Sequence, residues 1–355
     1  MKPFYQDKCV LVTGHTGFKG AWLCKILTMC GARVVGYALQ PPTDPSLFEQ
    51  SGIEKEITSV TGDVRDFDKL LSVFERYRPD IVFHLAAQPI VRESYRIPRE
   101  TFSTNIMGTV NVLECARLVG CVRSFVNVTT DKVYENHEWE RGYRETDRLC
   151  GFDPYSNSKS CSELVTQSYK NSFFTDGRIA VSTARAGNVI GGGDYAVDRL
   201  IPDCVRAATK GEAIVLRNPL SVRPFQHVLE PLFAYMLIAE RQYIDPALAD
   251  NYNVGPDESD CRTSGEMADL FCKSWGDKQT WHCVSEENAV HEANFLRLDC
   301  THIKGRLGWH PVWNVEIAVA KTVEFTKCCL DGKAPARTMQ RQIEEYMETQ
   351  SCLKI

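Results

Sequence analysis

A chain of 355 residues, 43% hydrophobic and 25% charged, has the composition of an ordinary globular protein and the length for two lobes around a large core. A net charge of −5 with no basic block argues against nucleic acid as a main partner. No run approaches the ~20 apolar residues of a membrane span, and the start, Met1-Lys2-Pro3-Phe4-Tyr5-Gln6, has no apolar signal region, so the expected location is cytoplasmic.

Cys9 to Thr13 is a short apolar run, as expected of a buried parallel strand. Gly14-His15-Thr16-Gly17-Phe18-Lys19-Gly20 follows at once, then a helix over Ala21 to Cys30 that stops at Gly31. Strand, Gly-x-x-Gly-x-x-Gly, helix is a dinucleotide fingerprint: the glycines admit a pyrophosphate and the helix start offers N–H groups to it. Gly14, Thr16, Gly17, Phe18 and Gly20 are the candidate cradle. A second strand, Arg33 to Ala38, ends in Tyr37-Ala38-Leu39-Gln40. That end has neither an acid for a ribose nor an arginine for a 2′-phosphate, so it leaves NAD and NADP undistinguished.

Ile57 to Thr61 reads as a third strand. Asp63, beside Val64 at its tip, is a candidate acceptor for an adenine amino group, and Asp66 a cap for the helix Phe67 to Tyr77. The fourth strand leads into Leu85-Ala86-Ala87, whose small side chains leave room for a ligand at the sheet's carboxyl edge; Gln88 and Arg92 would line the cleft. Pro98 to Leu118 reads as one long helix containing Asn105, a candidate for holding backbone or water near the cofactor. Ser124 to Val128 is a fifth strand and Ile179 to Thr183 a sixth. This alternation predicts an α/β fold, a Rossmann-type doubly wound parallel sheet with a smaller, mostly C-terminal α/β lobe. The expected division is 1–185, with 227–255 returning to it; then 186–226 and 256–335 as the substrate lobe; then 336–355 as a tail.

Between the fifth and sixth strands lies the candidate chemistry. Tyr155 and Lys159 are four apart and share a helix face. A phenol titrates near ~10 and is a poor base at neutral pH; an ammonium beside it favours the phenolate. Such a pair can take a proton from an alcohol while a hydride leaves the same carbon. Fifteen cysteines, none spaced Cys-x-x-Cys, read as free thiols in a reducing compartment, and no metal site is expected.

Gly14-x-x-Gly17-x-x-Gly20, Thr130, Tyr155 and Lys159 resemble the extended short-chain dehydrogenase/reductase superfamily, and the likeness runs through Asn105, Arg185-x-x-Asn188 and Arg223-Pro224-Phe225-Gln226-His227-Val228. Within it, Asp131-Lys132, Asp153-Pro154-Tyr155-Ser156-Asn157-Ser158-Lys159 and Arg185 to Asp194 are most similar to the nucleotide-sugar 4,6-dehydratases that act on CDP-glucose. The resemblance implies NAD as cofactor and CDP-glucose as substrate, with CDP-4-keto-6-deoxyglucose as product. It implies Tyr155 as the base at the sugar's 4-hydroxyl, Lys159 lowering the Tyr155 pKa and binding the nicotinamide ribose, and Thr130 donating to the reacting oxygen. Asp131 would protonate the departing 6-hydroxyl. Related dehydratases carry Glu at position 132 as the carbon-5 base; Lys132 here would remove that proton or stabilise the enolate. Asn188 and Arg223 would meet the diphosphate, with His227 near it or the ribose, and Gln88 and Arg92 the hexose. The resemblance also implies a homodimer, or a higher homo-oligomer, through a helix bundle built from 98–118 and 155–173. Another nucleotide-sugar dehydratase, a 4-epimerase or a non-catalytic cofactor-binding protein are the alternatives; an epimerase leaves Asp131 idle.

Overall fold

The computed structural model describes residues 1–276, 278–284 and 295–352. The parts of the expected 256–335 lobe and 336–355 tail at 277, 285–294 and 353–355 lie outside the described residues. Six strands, β1 (Cys9–Thr13), β2 (Arg33–Ala38), β3 (Thr58–Thr61), β4 (Ile81–His84), β5 (Ser124–Val128) and β6 (Ala180–Ala186), join Asn251–Val254 in one sheet. The order is Asn251–Val254, β6, β5, β4, β1, β2, β3, and every pairing is parallel. β1, β4 and β5 are buried along their whole length, which explains their near-continuous apolar runs. One core, with Trp22, Ile26, Phe83, Leu232 and Phe233, covers one face of the sheet; a second, with Leu11, Phe74, Val112 and Phe125, covers the other. The chain order reverses between β1 and β4, the place where a doubly wound sheet opens its crevice.

The glycine fingerprint sits there. Gly14 has φ +75°, and a Cβ on it would lie 2.8 Å from the Ala86 backbone nitrogen. A Cβ on Gly20 would lie 2.2 Å from the Gly14 carbonyl oxygen. The turn is therefore closed to any side chain, and the following helix, Phe18–Met29, starts at Gly17 with no side chain capping its N–H groups.

The expected long helix over 98–118 is interrupted. It runs as Pro98–Phe102, a π-turn Ser103–Met107, and Gly108–Val119. The π-turn presents Asn105, whose side chain accepts from the Gln88 backbone N–H and donates to the Gln88 carbonyl and to Ser158 Oγ.

Helix Pro154–Phe173 carries the Tyr155–Lys159 pair. Asp153 caps it, accepting from the Ser156 backbone N–H at 2.9 Å, and Pro154 pre-sets its first turn. Its buried face is polar: Ser156, Ser158, Ser160, Ser162, Glu163 and Thr166. Small hydroxyls let the helix approach closely, and directional bonds fix its register. Ser162 Oγ bonds Thr109 and Asn127, and Ser160 Oγ donates to the Val133 carbonyl.

Glu163 anchors this helix to β6 by a bidentate ion pair with Arg185, both side chains 2% exposed. Thr129 and Thr183 donate to the same carboxylate, and Arg185 also donates to Tyr134 OH and the Glu145 carbonyl. Glu163→Gln leaves a buried guanidinium uncompensated. It is expected to cost about 3–5 kcal/mol in a urea titration; a loss under ~1 kcal/mol would mean that water reaches Arg185.

The segment from 336 is a helix, Pro335–Cys352, and not a loose tail. Met339, Ile343 and Tyr346 enter the first core, and Tyr346 OH donates to Glu230 Oε2 at 2.7 Å. Among the described residues no helix is long and apolar enough to cross a membrane.

Candidate active site

A cleft of about 810 Å³ opens at the carboxyl edge of the sheet, between the β5 tip, helix Pro154–Phe173 and the C-terminal segments. Thr130, Lys132, Tyr155, Arg92, Asn188 and Arg223 all line it. Residues distant in sequence thus meet on one surface because β4, β5 and β6 end together.

Thr130 caps the short turn Asp131–Val133 at the β5 tip. Its hydroxyl donates to Asp131 Oδ1 at 2.9 Å and is hydrogen-bonded to the Tyr155 phenol. Burial pushes that phenol up to about 12; the Thr130 bond pulls it down and the Asp131 charge pushes it up. Lys159 follows in the same helix. Its ammonium donates to the Val128 carbonyl at 3.0 Å, and the groups that move the Tyr155 phenol are Thr130, Asp131, Arg199 and Asp153. Burial lowers the Lys159 amine to about 8, with Glu163 opposing.

Asp131 lies just beneath the cleft wall, fully buried. Its Oδ1 accepts from Lys132 Nζ at 3.0 Å, while its Oδ2 has no partner among the described residues. Lys132 also donates to Asn188 Oδ1 at 3.2 Å, so Asn188 reaches the catalytic pair as well as the cleft.

Other expected residues stand elsewhere. His227 is packed away from the cleft, its ring 4.9 Å from Trp313 and 6.1 Å from Trp22, with Nδ1 accepting from the Leu229 N–H. Two indoles enclose its ring, and it is not among the residues that line the cleft. Gln88 spends its amide on Ile90 and Thr101, shaping the loop before Arg92 and not reaching into the cleft. Asp63 is gripped by the Arg65 side chain, which holds its carboxyl below the usual range. Val64 packs against Gly108, Thr16 Oγ1 donates to the Leu39 carbonyl, and Leu85 and Ala86 donate from their backbone to Thr13 Oγ1. Ala87 and Phe18 are half-buried near the glycine turn.

The sequence reading passed over two cleft residues, Lys19 and Arg199. A signal for Lys19 was present: a lysine inside a glycine fingerprint whose following turn is apolar.

Burial lowers the His227 and His84 imidazoles to about 3 and His15 to about 4. An imidazole depressed in the fold and near ~6.5 when unfolded stabilises above ~6.5 and loses that contribution as pH falls through its folded value. Urea midpoints should fall steadily from about pH 6.5 downward. His227→Asn should reduce the slope by about one proton; an unchanged slope would mean that His227 does not titrate on unfolding.

The glycine turn passes the test for a dinucleotide on structure alone. It is a tight turn that admits no Cβ at Gly14 or Gly20, followed by helical N–H groups that no side chain caps. The family model described as GDP-mannose 4,6 dehydratase matches residues 11–322. The CDP-glucose 4,6-dehydratase of Salmonella typhimurium is 47% identical over 352 residues, 98% of each chain. The dTDP-glucose 4,6-dehydratase of Haemophilus influenzae is 24% identical over 89% of this chain and 97% of its own. Among solved structures, UDP-glucose 4-epimerase of Thermotoga maritima with UDP-glucose superimposes with a TM-score of 0.79 at 22% identity, covering 91% of this chain and 99% of that one. The dTDP-glucose 4,6-dehydratase of Bacillus anthracis in complex with NAD gives 0.77 at 20% identity, covering 93% and 99%. At these identities the structures establish the shared fold.

Proposed function

The chain belongs to the GDP-mannose 4,6 dehydratase family, and from that premise we propose that it is an NAD-dependent 4,6-dehydratase that converts CDP-glucose to CDP-4-keto-6-deoxyglucose. The observation that supports the reading is the ion pair between buried Asp131 and half-buried Lys132, joined through Thr130 to the Tyr155 phenol. An epimerase needs an alcohol base and a hydroxyl donor; an acid and an amine at 3.0 Å beside them serve an elimination.

NAD in the glycine cradle supplies the acceptance of hydride from carbon 4 and its return to carbon 6. Gly14, Gly17 and Gly20 would admit its pyrophosphate, and Lys159 would bind its nicotinamide ribose. Tyr155 takes the proton of the 4-hydroxyl, with Thr130 orienting the reacting oxygen. The resulting ketone acidifies carbon 5. Lys132 removes that proton as an amine, and Asp131 protonates the 6-hydroxyl so that it leaves as water. Asn188, Arg92 and Arg223 hold the sugar and its diphosphate from the opposite wall.

Exposed Met107, Leu118, Leu164 and Phe173 on the outer faces of 103–119 and 154–173 support a homodimer through those helices. Light scattering at the mass of two chains is the expected result.

Proton NMR of CDP-glucose with the protein and NAD tests the function. A new methyl doublet with loss of the carbon-6 hydroxymethyl signals is expected. A galactose-configured product would replace the reading with epimerisation.

A further inference from the structure

Lys19 occupies the second position of helix Phe18–Met29, between the last two glycines of the cradle. Its side chain enters the cleft that Thr130, Tyr155, Asn188 and Arg223 line. Among the described residues its ammonium makes no hydrogen bond or ion pair.

The charges around it do not balance. Lys19 feels Arg199, Lys159, Lys132 and Asp131. Asp131 is already engaged by Lys132 and Thr130, and Arg199 by Asp194. Glu163, the carboxylate behind Lys159, is spent on Arg185. The groups that act on Lys19 itself are therefore three cations, Arg199, Lys159 and Lys132, against one carboxylate, Asp131. A diphosphate diester brings two negative charges.

We propose that Lys19, carried on the cofactor loop, is a binding residue for the diphosphate of the nucleotide sugar, in the same cleft as Arg223. This rests on the function proposed above. The dinucleotide's own pyrophosphate is the other source of the same chemistry. The side chain, however, lies with Asn188 and Arg223 in the substrate cleft, while the uncapped N–H groups of its helix serve the cradle.

The proton balance adds a second handle. Burial lowers the Lys19 amine to about 7, and Arg199, Lys159 and Lys132 push the same way. Above that pH the free protein holds Lys19 neutral, and an arriving dianion restores its charge. Diphosphate binding at pH 8 should then draw a proton from the buffer.

The test is calorimetry on the full chain and on Lys19→Met and Lys19→Arg, with CDP, cytidine, inorganic pyrophosphate and NAD as separate titrants. Lys19→Met should weaken CDP and pyrophosphate about 10–100-fold, the range of a lost charge-assisted bond, and leave cytidine and NAD within twofold. Wild-type CDP binding at pH 8 should take up protons, judged from buffers of different ionisation enthalpy, and Lys19→Met should not. Lys19→Arg should recover affinity without uptake. CDP and pyrophosphate affinities unchanged in Lys19→Met would overturn the proposal. So would equal weakening of cytidine and CDP, which is a structural effect, or weakening of NAD alone, which assigns Lys19 to the cofactor. Wild-type protein that binds pyrophosphate through Lys19 but prefers UDP to CDP would sink the CDP-glucose reading and leave Lys19 in place.

Discussion

Tyr155→Phe is expected to reduce kcat by about 10²–10⁴-fold, the range for a lost general base, with KM and the urea midpoint close to wild type. The substitution removes one oxygen and no ring volume from a side chain that is 8% exposed. That oxygen is held by Thr130, in line with Asp131. With the phenol pushed up to about 12 by burial, the free protein holds it neutral at pH 7. Its own proton must therefore pass along the Thr130 bond to the open cleft as the 4-hydroxyl proton arrives, which is a contribution confined to the transition state. Steady-state kinetics on CDP-glucose separate the cases: a fall in kcat with constant KM is the expected signature, and a rise in KM at constant kcat would make Tyr155 a binding group only. Thr130→Val should act in the same direction through the lost bond to the phenol, with a smaller loss.

The sheet and the glycine turn were legible in the sequence for a common reason. Buried parallel strands must be apolar throughout, and a glycine turn closed to any Cβ admits few alternatives, so both leave local marks. Tyr155 and Lys159 were legible because one helix spaces them. What the sequence left open depends on contacts far along the chain. His227 looks like a ligand in a short polar segment, yet Trp22 and Trp313 arrive from either side to cage it. Asp63 looked free for adenine, but Arg65, two residues on, takes its carboxylate. Gln88 turned inward because the π-turn delivers Asn105 and helix Pro98–Phe102 delivers Thr101 to its loop. The polar face of helix Pro154–Phe173 gave no amphipathic signal, since serines and threonines bury it through hydrogen bonds and not through oil. Lys19 carried a local mark inside the glycine fingerprint, but its charged surroundings form only where Arg199 and Asp194 reach the same cleft.

Asp131→Asn is expected to separate the two halves of the reaction. Oxidation of the 4-hydroxyl requires Tyr155 and should survive as a single burst of nicotinamide absorbance. Methyl formation by NMR should fall about 10²–10⁴-fold, because an amide cannot protonate the leaving hydroxyl. The ion pair with Lys132, 3.0 Å long, raises a question of proton inventory. Elimination needs the pair in its neutral form, acid on Asp131 and amine on Lys132. Carbon 5 then gives its proton to Lys132, and Asp131 gives one to the departing hydroxyl. The pair is left charged, and one transfer across the same contact restores the neutral form; hydride return to carbon 6 leaves an enolate that takes one proton at carbon 5, matching the one the 4-hydroxyl released, so no outside proton is consumed overall. Lys132→Ala removes the amine and should slow exchange of the carbon-5 proton with deuterated solvent by at least ~10²-fold, while the oxidation burst persists. Exchange at the wild-type rate in Lys132→Ala would end the role of Lys132 as base. Loss of the burst in either variant would instead place the pair in the first step, where Thr130 links Asp131 to Tyr155.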